Sequence, residues 1–284
     1  EGLCIMDSVA QRAQAEQFRS LHHVAPMLVL PNVWDAASAH IIEQAGFPAI
    51  ATTSSGVAAA LGYPDGQRVS RELMIEAIAR IVRVVACPVT ADIEAGYGAS
   101  IAEQVATVNE VIATGVVGVN IEDSLIGQGG ALADVGYQVE VIAALRELAT
   151  ALDAPFVINA RVDVFLRARG EAERRVEQAV ERANAYLRAG ADCVYPIGRL
   201  DHATIARLVA EISGPINIMG GSPQPTLPEL AQLGVARVSL AGGLMRAALG
   251  HVRTIARELL ETGGYERLSG DALSGADLGA LFEA

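Results

Sequence analysis

Asp92 and Glu94 stand two residues apart in ADIEAGYG, Glu122 is the penultimate residue of VGVNIED, and Asp65 occupies a turn in LGYPDGQ. Residues two apart on a strand face the same side, so Asp92 and Glu94 share one face just before a loop with Gly96 and Gly98. Carboxylates gathered at one spot repel unless a cation neutralises them. Oxygen-only ligation selects a hard ion such as Mg2+, with Mn2+ as a substitute. Mg2+ keeps several waters, so some of these acids can hold water rather than metal. Taken singly, Asp65, Asp123 or any of the others is equally at home as a helix cap, a turn residue or a solvated rim. Histidine-based zinc is disfavoured, because His22, His23, His40, His202 and His251 form no i, i+4 pair and no strand-end cluster.

Two further features suit an anion. The run Thr52-Thr53-Ser54-Ser55-Gly56 offers hydroxyls and backbone N–H groups at a helix start, where a carboxylate or phosphate can bind; an ordinary cap and turn explains it equally well. Arg161 interrupts the apolar string VINARVDVF, and its planar fork matches a carboxylate, either of a substrate or of a structural partner such as Asp163. Asn217 in PINIMGG can donate to a substrate oxygen or serve as a satisfied core amide.

These residues need a scaffold, and the chain supplies one. Eight β-branched runs recur at 27–32, 49–54, 88–94, 117–123, 156–163, 192–198, 216–220 and 236–242. Amphipathic stretches lie near 34–45, 70–85, 100–114, 137–152, 171–189, 201–212, 226–233 and 244–262. In one of them Ile101, Val105, Val108 and Ile112 repeat at helical spacing behind a Ser100/Glu103 capping box. Near-continuously apolar strands alternating with helices indicate a parallel sheet covered by helices. Eight such units predict an α/β fold of the (β/α)8 TIM-barrel type over residues 1–262. A doubly wound open sheet is the alternative, but no strand leads into GxGxxG. Residues 263–284 read as a loop and short helix beyond the barrel, able to pack on a neighbouring subunit. In a barrel the chemistry lies at the C-terminal strand ends, which is where the acids fall.

Composition narrows the partners. A formal charge of -12 with no basic patch argues against nucleic acid. No apolar run reaches the roughly 20 residues of a membrane span, and no signal pattern opens the chain, so a cytoplasmic protein is expected. Cys4, Cys87 and Cys193 are too scattered for a disulfide framework or a CxxC metal site. All 21 basic residues are Arg, which excludes Schiff-base lysine chemistry and a P-loop.

PDG after the second strand, ADIEAGYG on the third, NIED on the fourth and NARVD on the fifth, in that order, resemble the isocitrate lyase and phosphoenolpyruvate mutase superfamily from about residue 31 to 250. The resemblance implies a barrel with a helix swapped between subunits, in a dimer or tetramer, binding Mg2+ and an oxo-acid at its mouth. It implies that Asp92 ligates the metal directly, while Asp65, Glu94 and Glu122 reach it mainly through water. Glu94 replaces the family's usual Asp. Ser54, Ser55 and Gly56 resemble the loop that binds substrate carboxylate and enolate oxygens. Arg161 resembles the carboxylate clamp, and Asn217 a more distal substrate contact. Arg161, Ser55 and Glu122 are thus the catalytic candidates.

The main departure follows Glu122. Lyases that cleave isocitrate or methylisocitrate carry a Lys-(Lys/Arg)-Cys-Gly-His loop there, and this chain has SLIGQGGALADVG, without Cys, His, Lys or Arg. The usual proton donor is missing. Phosphoenolpyruvate mutases carry Lys and Asn in that loop and His where this chain has Tyr195. What remains implies a Mg2+-dependent carbon-carbon lyase acting on a small 2-oxo or 2-hydroxy di- or tricarboxylate through an enolate, with 124–136 as a Gly-rich lid. Phosphorus-carbon chemistry on phosphonopyruvate and non-catalytic oxo-acid binding are the alternatives. Tyr195, Arg199 and Ser222 are candidates for the pocket that takes the substrate side chain.

Overall fold

A computed structural model describes residues 9–126, 129–168, 170–270 and 272–282. Its strands are β1 Leu28–Leu30, β2 Asn32–Val33, β3 Ile50–Thr52, β4 Val89–Asp92, β5 Gly118–Glu122, β6 Ser124–Leu125, β7 Ala131–Leu132, β8 Val157–Val162, β9 Cys193–Pro196, β10 Asn217–Met219 and β11 Arg237–Ser239. A six-stranded parallel arc runs β2-β3-β4-β5-β8-β9, and a three-stranded arc runs β1-β11-β10. Both pass through residues 28–33. Pro31 has no N–H to give, and at that point the chain changes partner, Leu28–Leu30 pairing with β11 and Asn32–Val33 with β3. A single parallel bridge, Val194 to Ile216, links the far ends. The eight anticipated strand segments therefore follow one another round a ring, two arcs rather than one unbroken ladder.

Each segment is buried on both faces, as a barrel wrapped in helices requires. Closure brings backbones close: a Cβ on Gly118 would lie 2.7 Å from the Val157 carbonyl oxygen, so β5 and β8 can pair here only around a glycine. The anticipated helices form, including Ile101–Ala113, whose Ser100 N–H donates to Glu103 (2.9 Å) while Ser100 accepts from the Glu103 N–H (3.3 Å).

Helix Val9–Ser20 has no counterpart among the elements read from the sequence. It crosses the end of the barrel where strands begin: Gln11 donates to the carbonyls of Ile112 and Val116, and Arg12 and Arg19 pair with Asp153 and Asp192. Its apolar stripe is narrow, only Ala15 and Phe18 being buried hydrophobes, which is why periodicity does not reveal it. At the other end of the chain, Gly243–Glu261 buries only Met245 along its length. The extension beyond it returns to its own barrel, with Leu281 buried and Phe282 edge-on to His40 at 5.2 Å. No helix among the described residues is long and apolar enough to cross a membrane.

Candidate active site

Strand register assembles the site in two layers. Asp92 pairs with Asn120 and Asn120 with Asn159; one step further out, Glu122 pairs with Arg161 and Arg161 with Tyr195. Because inward residues recur every second position, one layer carries amides and the next carries the ion pair.

Asp92 is held by neutral donors. Its Oδ2 accepts from the Ser54 N–H (3.0 Å) and hydroxyl (2.8 Å), and its Oδ1 accepts from the Asn120 amide (3.0 Å), which in turn accepts from Asn159 (2.8 Å). Asn120 and Asn159 were not singled out, although each precedes an inward charged residue by two positions in NIED and NARVD. Ser54 thus orients Asp92 through both its N–H and its hydroxyl. Ser55 and Gly56 lie in the first turn of Ser54–Ala60, which no side chain caps. Gly56 is also required sterically, since a Cβ there would fall 2.6 Å from Thr53 and 2.9 Å from Trp34.

Glu94 is buried, accepting from the Gln67 N–H (2.7 Å) and the Tyr97 hydroxyl (3.0 Å). Gln67, Glu94 and Tyr97 all adopt positive φ (53°, 52° and 52°), and three non-glycine residues in that region persist only where contacts hold them. The Gln67 amide oxygen, turned toward the loop, accepts from the N–H groups of Ala95 and Tyr97 (3.1 Å each). The loop bearing Asp65 is thus clamped onto the Glu94 loop. Nothing in a lone Gln signals this.

Burial first, then Asp92 and Asp65, push the Glu94 pKa up to about 7. Asp65 belongs to the exposed rim, yet its carboxyl end is partly covered, and that burial together with Asp92 raises it too. Burial also drives Glu122 upward, opposed by the Arg161 guanidinium. Acids that hinder one another's ionisation in this way are what a cation relieves. Among the described residues, however, no three acidic, histidine or cysteine side chains converge closely enough to hold one ion directly. The donor set is one that a hydrated Mg2+, held mainly through water, would fit, and not a four-carboxylate cage. A proton on Glu94 would oppose the ion, so apparent Mg2+ affinity should fall between pH 8 and pH 6, by up to about tenfold. Calorimetric titration across that range tests this, and Glu94→Gln should flatten the dependence.

Arg161 spans two acids. It reaches Glu122 at 2.6 Å and forks onto Asp163 at 2.6 and 2.9 Å. Burial by itself would lower the guanidinium pKa, but Glu122 and Asp163 outweigh it and keep the group charged. The structural pairing with Asp163 is therefore present, and Arg161 also lines the central cavity beside Asp92, Asn120, Tyr195 and Asn217. Asn217 bonds the Ser239 hydroxyl at 3.0 Å. Arg199 and Ser222 are exposed and do not line that cavity.

Asp123 faces away from the mouth, as alternation after Glu122 requires. It accepts from the Tyr186 hydroxyl (2.7 Å), Arg182 (2.9 Å) and the Asp163 N–H (2.8 Å) with no exposure, so its role is structural. Asp123→Ala should cost about 2–3 kcal/mol in urea unfolding, because it leaves the partly buried Arg182, the Tyr186 hydroxyl and the Asp163 N–H without their shared acceptor, while leaving Mg2+ affinity of the folded fraction unchanged.

The segment expected to act as a lid forms an antiparallel hairpin, Ser124–Leu125 with Ala131–Leu132; Gly127 and Gln128 lie outside the described residues. Its base is pinned where the Ala133 N–H donates to the Asp123 carbonyl and Arg182 donates to the Ala133 carbonyl. Beneath it lies a second cavity of about 210 Å3, adjoining Glu122 and lined by Gln67, Gln104, Ser124, Tyr137 and Gln138.

An eight-segment α/β ring with acids and an arginine at the C-terminal strand ends defines a barrel of enzyme type. Residues 18–260 match the phosphoenolpyruvate phosphomutase family, and the chain belongs to that family within the phosphoenolpyruvate mutase and isocitrate lyase superfamily of lyases and mutases. It is 30% identical to a 2-methylisocitrate lyase of Halalkalibacterium halodurans, over 84% of this chain and 74% of the relative. It is 32% identical to an oxaloacetate decarboxylase of Rhodopseudomonas palustris, over 74% and 71%. Among solved structures, a candidate lyase/mutase from Burkholderia cenocepacia superposes with a TM-score of 0.89 at 36% identity, covering 98% of both chains. A phosphonopyruvate hydrolase solved with oxalate and Mg2+ superposes with a TM-score of 0.82 at 25% identity, covering 94% of both.

Proposed function

We propose that this protein is a Mg2+-dependent carbon-carbon lyase for a small 2-oxo or 2-hydroxy di- or tricarboxylate, acting through an enolate. The observation that carries this reading is the cavity where Asp92, oriented by Ser54 and Asn120, faces the Arg161–Glu122 pair. The relatives named 2-methylisocitrate lyase and oxaloacetate decarboxylase support the class.

Asp92, with Asp65, Glu94 and Glu122 behind water, would hold the ion. When bound, the ion would supply positive charge opposite a developing enolate oxygen. Arg161 would orient the substrate carboxylate from a guanidinium already fixed by Glu122 and Asp163, so little reorganisation accompanies the reaction. Ser55 and the uncapped first turn would disperse charge on the other side, and Asn217 would contact the substrate more distally. Glu122, whose pKa burial raises, would keep Arg161 in place. The hairpin over the site would exclude water, and SLIGQGGALADVG offers no Cys or His to protonate a leaving group. Decarboxylation fits these limits, because CO2 departs without a proton donor and solvent can protonate the enolate.

Residues 1–262 would form the catalytic barrel and 263–284 an extension to it. A cytoplasmic homo-oligomer, dimer or tetramer, is part of this reading; Leu249, Val252, Leu260 and Leu268 are exposed and could be covered by another subunit.

The test is incubation with and without Mg2+ against oxaloacetate, isocitrate, methylisocitrate, substituted malates and phosphonopyruvate, followed by NMR. Metal-dependent release of pyruvate, glyoxylate or CO2 is expected. Phosphate release or phosphonate rearrangement would replace this reading with phosphorus-carbon chemistry, and binding without turnover would favour a non-catalytic protein.

A further inference from the structure

One charged group of the central cavity has no part in the chemistry above. Arg237 opens β11, is 1% exposed, and lines the cavity beside Tyr195, Asn217 and Ser239. Arg146, Arg161 and Arg182, which are also drawn into the protein, each pair with a carboxylate. Arg237 makes no ion pair among the described residues, and its Nε–H finds no acceptor there.

The groups around it are neutral. Its NH1 lies 3.4 Å from His22 Nε2. His22 Nδ1 sits 2.8 Å from the Phe18 carbonyl oxygen, so that nitrogen carries the proton and Nε2 offers only a lone pair. Burial, then Arg237 itself, pulls the His22 pKa down to about 3. The Phe18 ring centroid is 5.9 Å from the guanidinium carbon. Burial pushes the Cys193 thiol and the Tyr195 phenol up to about 12, and the Tyr195 hydroxyl also lacks a partner. Asp92 shares the cavity, but both its oxygens are engaged by Ser54 and Asn120. A guanidinium does not shed its proton in a protein, and among the described residues the one carboxylate that acts on it, Asp92, does so across the cavity without a direct ion pair, so the inner end carries a positive charge that no side chain contacts as a counter-ion.

We propose that this inner end is an anion subsite built on Arg237, taking a carboxylate or an inorganic anion of similar size. The whole central cavity is about 40 Å3, several times the roughly 10–15 Å3 that one water needs, and a small anion at Arg237 would share it with whatever occupies the end lined by Asp92 and Arg161. Asn217 and Ser239 supply neutral polar groups beside the cation. One source is the second carboxylate of a dicarboxylate whose first is held at Arg161, an assignment that rests on the function proposed above. The other is a free anion.

Bromide titration of the unmodified protein, read by thermal stabilisation and by anomalous scattering in crystals, tests the subsite without any turnover. Ordered bromide against Arg237 is expected, lost in Arg237→Met while other bromides remain. Calorimetry with Mg2+ then separates the sources. If the ligand is a substrate carboxylate, Arg237→Met binds a four-carbon dicarboxylate about 10- to 100-fold more weakly. Oxalate, whose two carboxylates are directly joined, is expected to stay at the Arg161 end and change by less than about threefold. Lost bromide with unchanged dicarboxylate affinity assigns the subsite to a free anion. No bromide at Arg237 in the unmodified protein, together with unchanged affinities in the variant, overturns the proposal. A failure to find turnover would refute the lyase reading and leave the bromide result standing.

Discussion

Asp92→Ala will abolish Mg2+-dependent turnover, by at least about 1000-fold, and weaken Mg2+ binding by more than the 10- to 100-fold typical of losing an outer-sphere partner. Asp92 is fixed only by neutral donors, Ser54 and Asn120, as Glu94 is by Gln67 and Tyr97, but Asp92 lines the central cavity itself and its charge helps to raise both Glu94 and Asp65. Glu122 is neutralised by Arg161, and Glu94 is partly protonated near neutral pH. Removing Asp92 strands the Ser54 N–H and the Asn120 amide, at about 1–3 kcal/mol, a loss the fold should survive. The pKa of Glu94 should also drop, since Asp92 helps to raise it. Isothermal titration with Mg2+, beside a thermal melt to confirm folding, measures both effects. Full activity in a folded Asp92→Ala protein would end the metal assignment.

Substituting Arg161 should separate its two roles. Arg161→Ala leaves Glu122 and Asp163, 4% and 0% exposed at the side chain, without their shared cation. About 3–5 kcal/mol of destabilisation is expected, a large fraction of the total stability of a typical fold. Arg161→Lys keeps the charge but cannot fork onto Asp163 while reaching Glu122. The Lys variant should fold with reduced stability and show a kcat/KM lower by about 100-fold or more, chiefly through KM. Denaturant unfolding and steady-state kinetics on the substrate found by NMR give the two numbers. Unchanged KM with reduced stability would make Arg161 a purely structural cation.

How much of this was legible in the chain varies from residue to residue. Asp92, Glu122 and Arg161 could be placed on inward faces because side chains alternate along any strand, whereas Glu94 lies past the end of β4 in a turn with a φ of 52°, so the two-residue rule that paired it with Asp92 does not place it. Asn120 and Asn159 obey the same two-residue rule and were within reach of it, but an amide inside an apolar run draws less attention than a charge. Asp123 and Glu122 are adjacent acids at the same strand end, and the same alternation points them to opposite sides; only the partners Arg182 and Tyr186, the latter 63 residues away, show that Asp123 is structural. Gln67 carries no signal, since its importance depends on two loops whose three left-handed residues, Gln67 on one and Glu94 and Tyr97 on the other, lock together after folding.

The sequence by itself determined the eight strand-helix units, the ends at which chemistry gathers and the loss of the usual acid from the loop after Glu122. Those properties are local: they follow from backbone geometry over a few residues and from which side chains are present. Tertiary structure decided which charges meet. Ser54 reaches Asp92 across 38 positions, and Arg237 lies against His22 across 215. Such pairings depend on the register and curvature with which distant strands close into a ring. One residue of slip would turn the inward set outward, so the partners exist only once the whole barrel has formed.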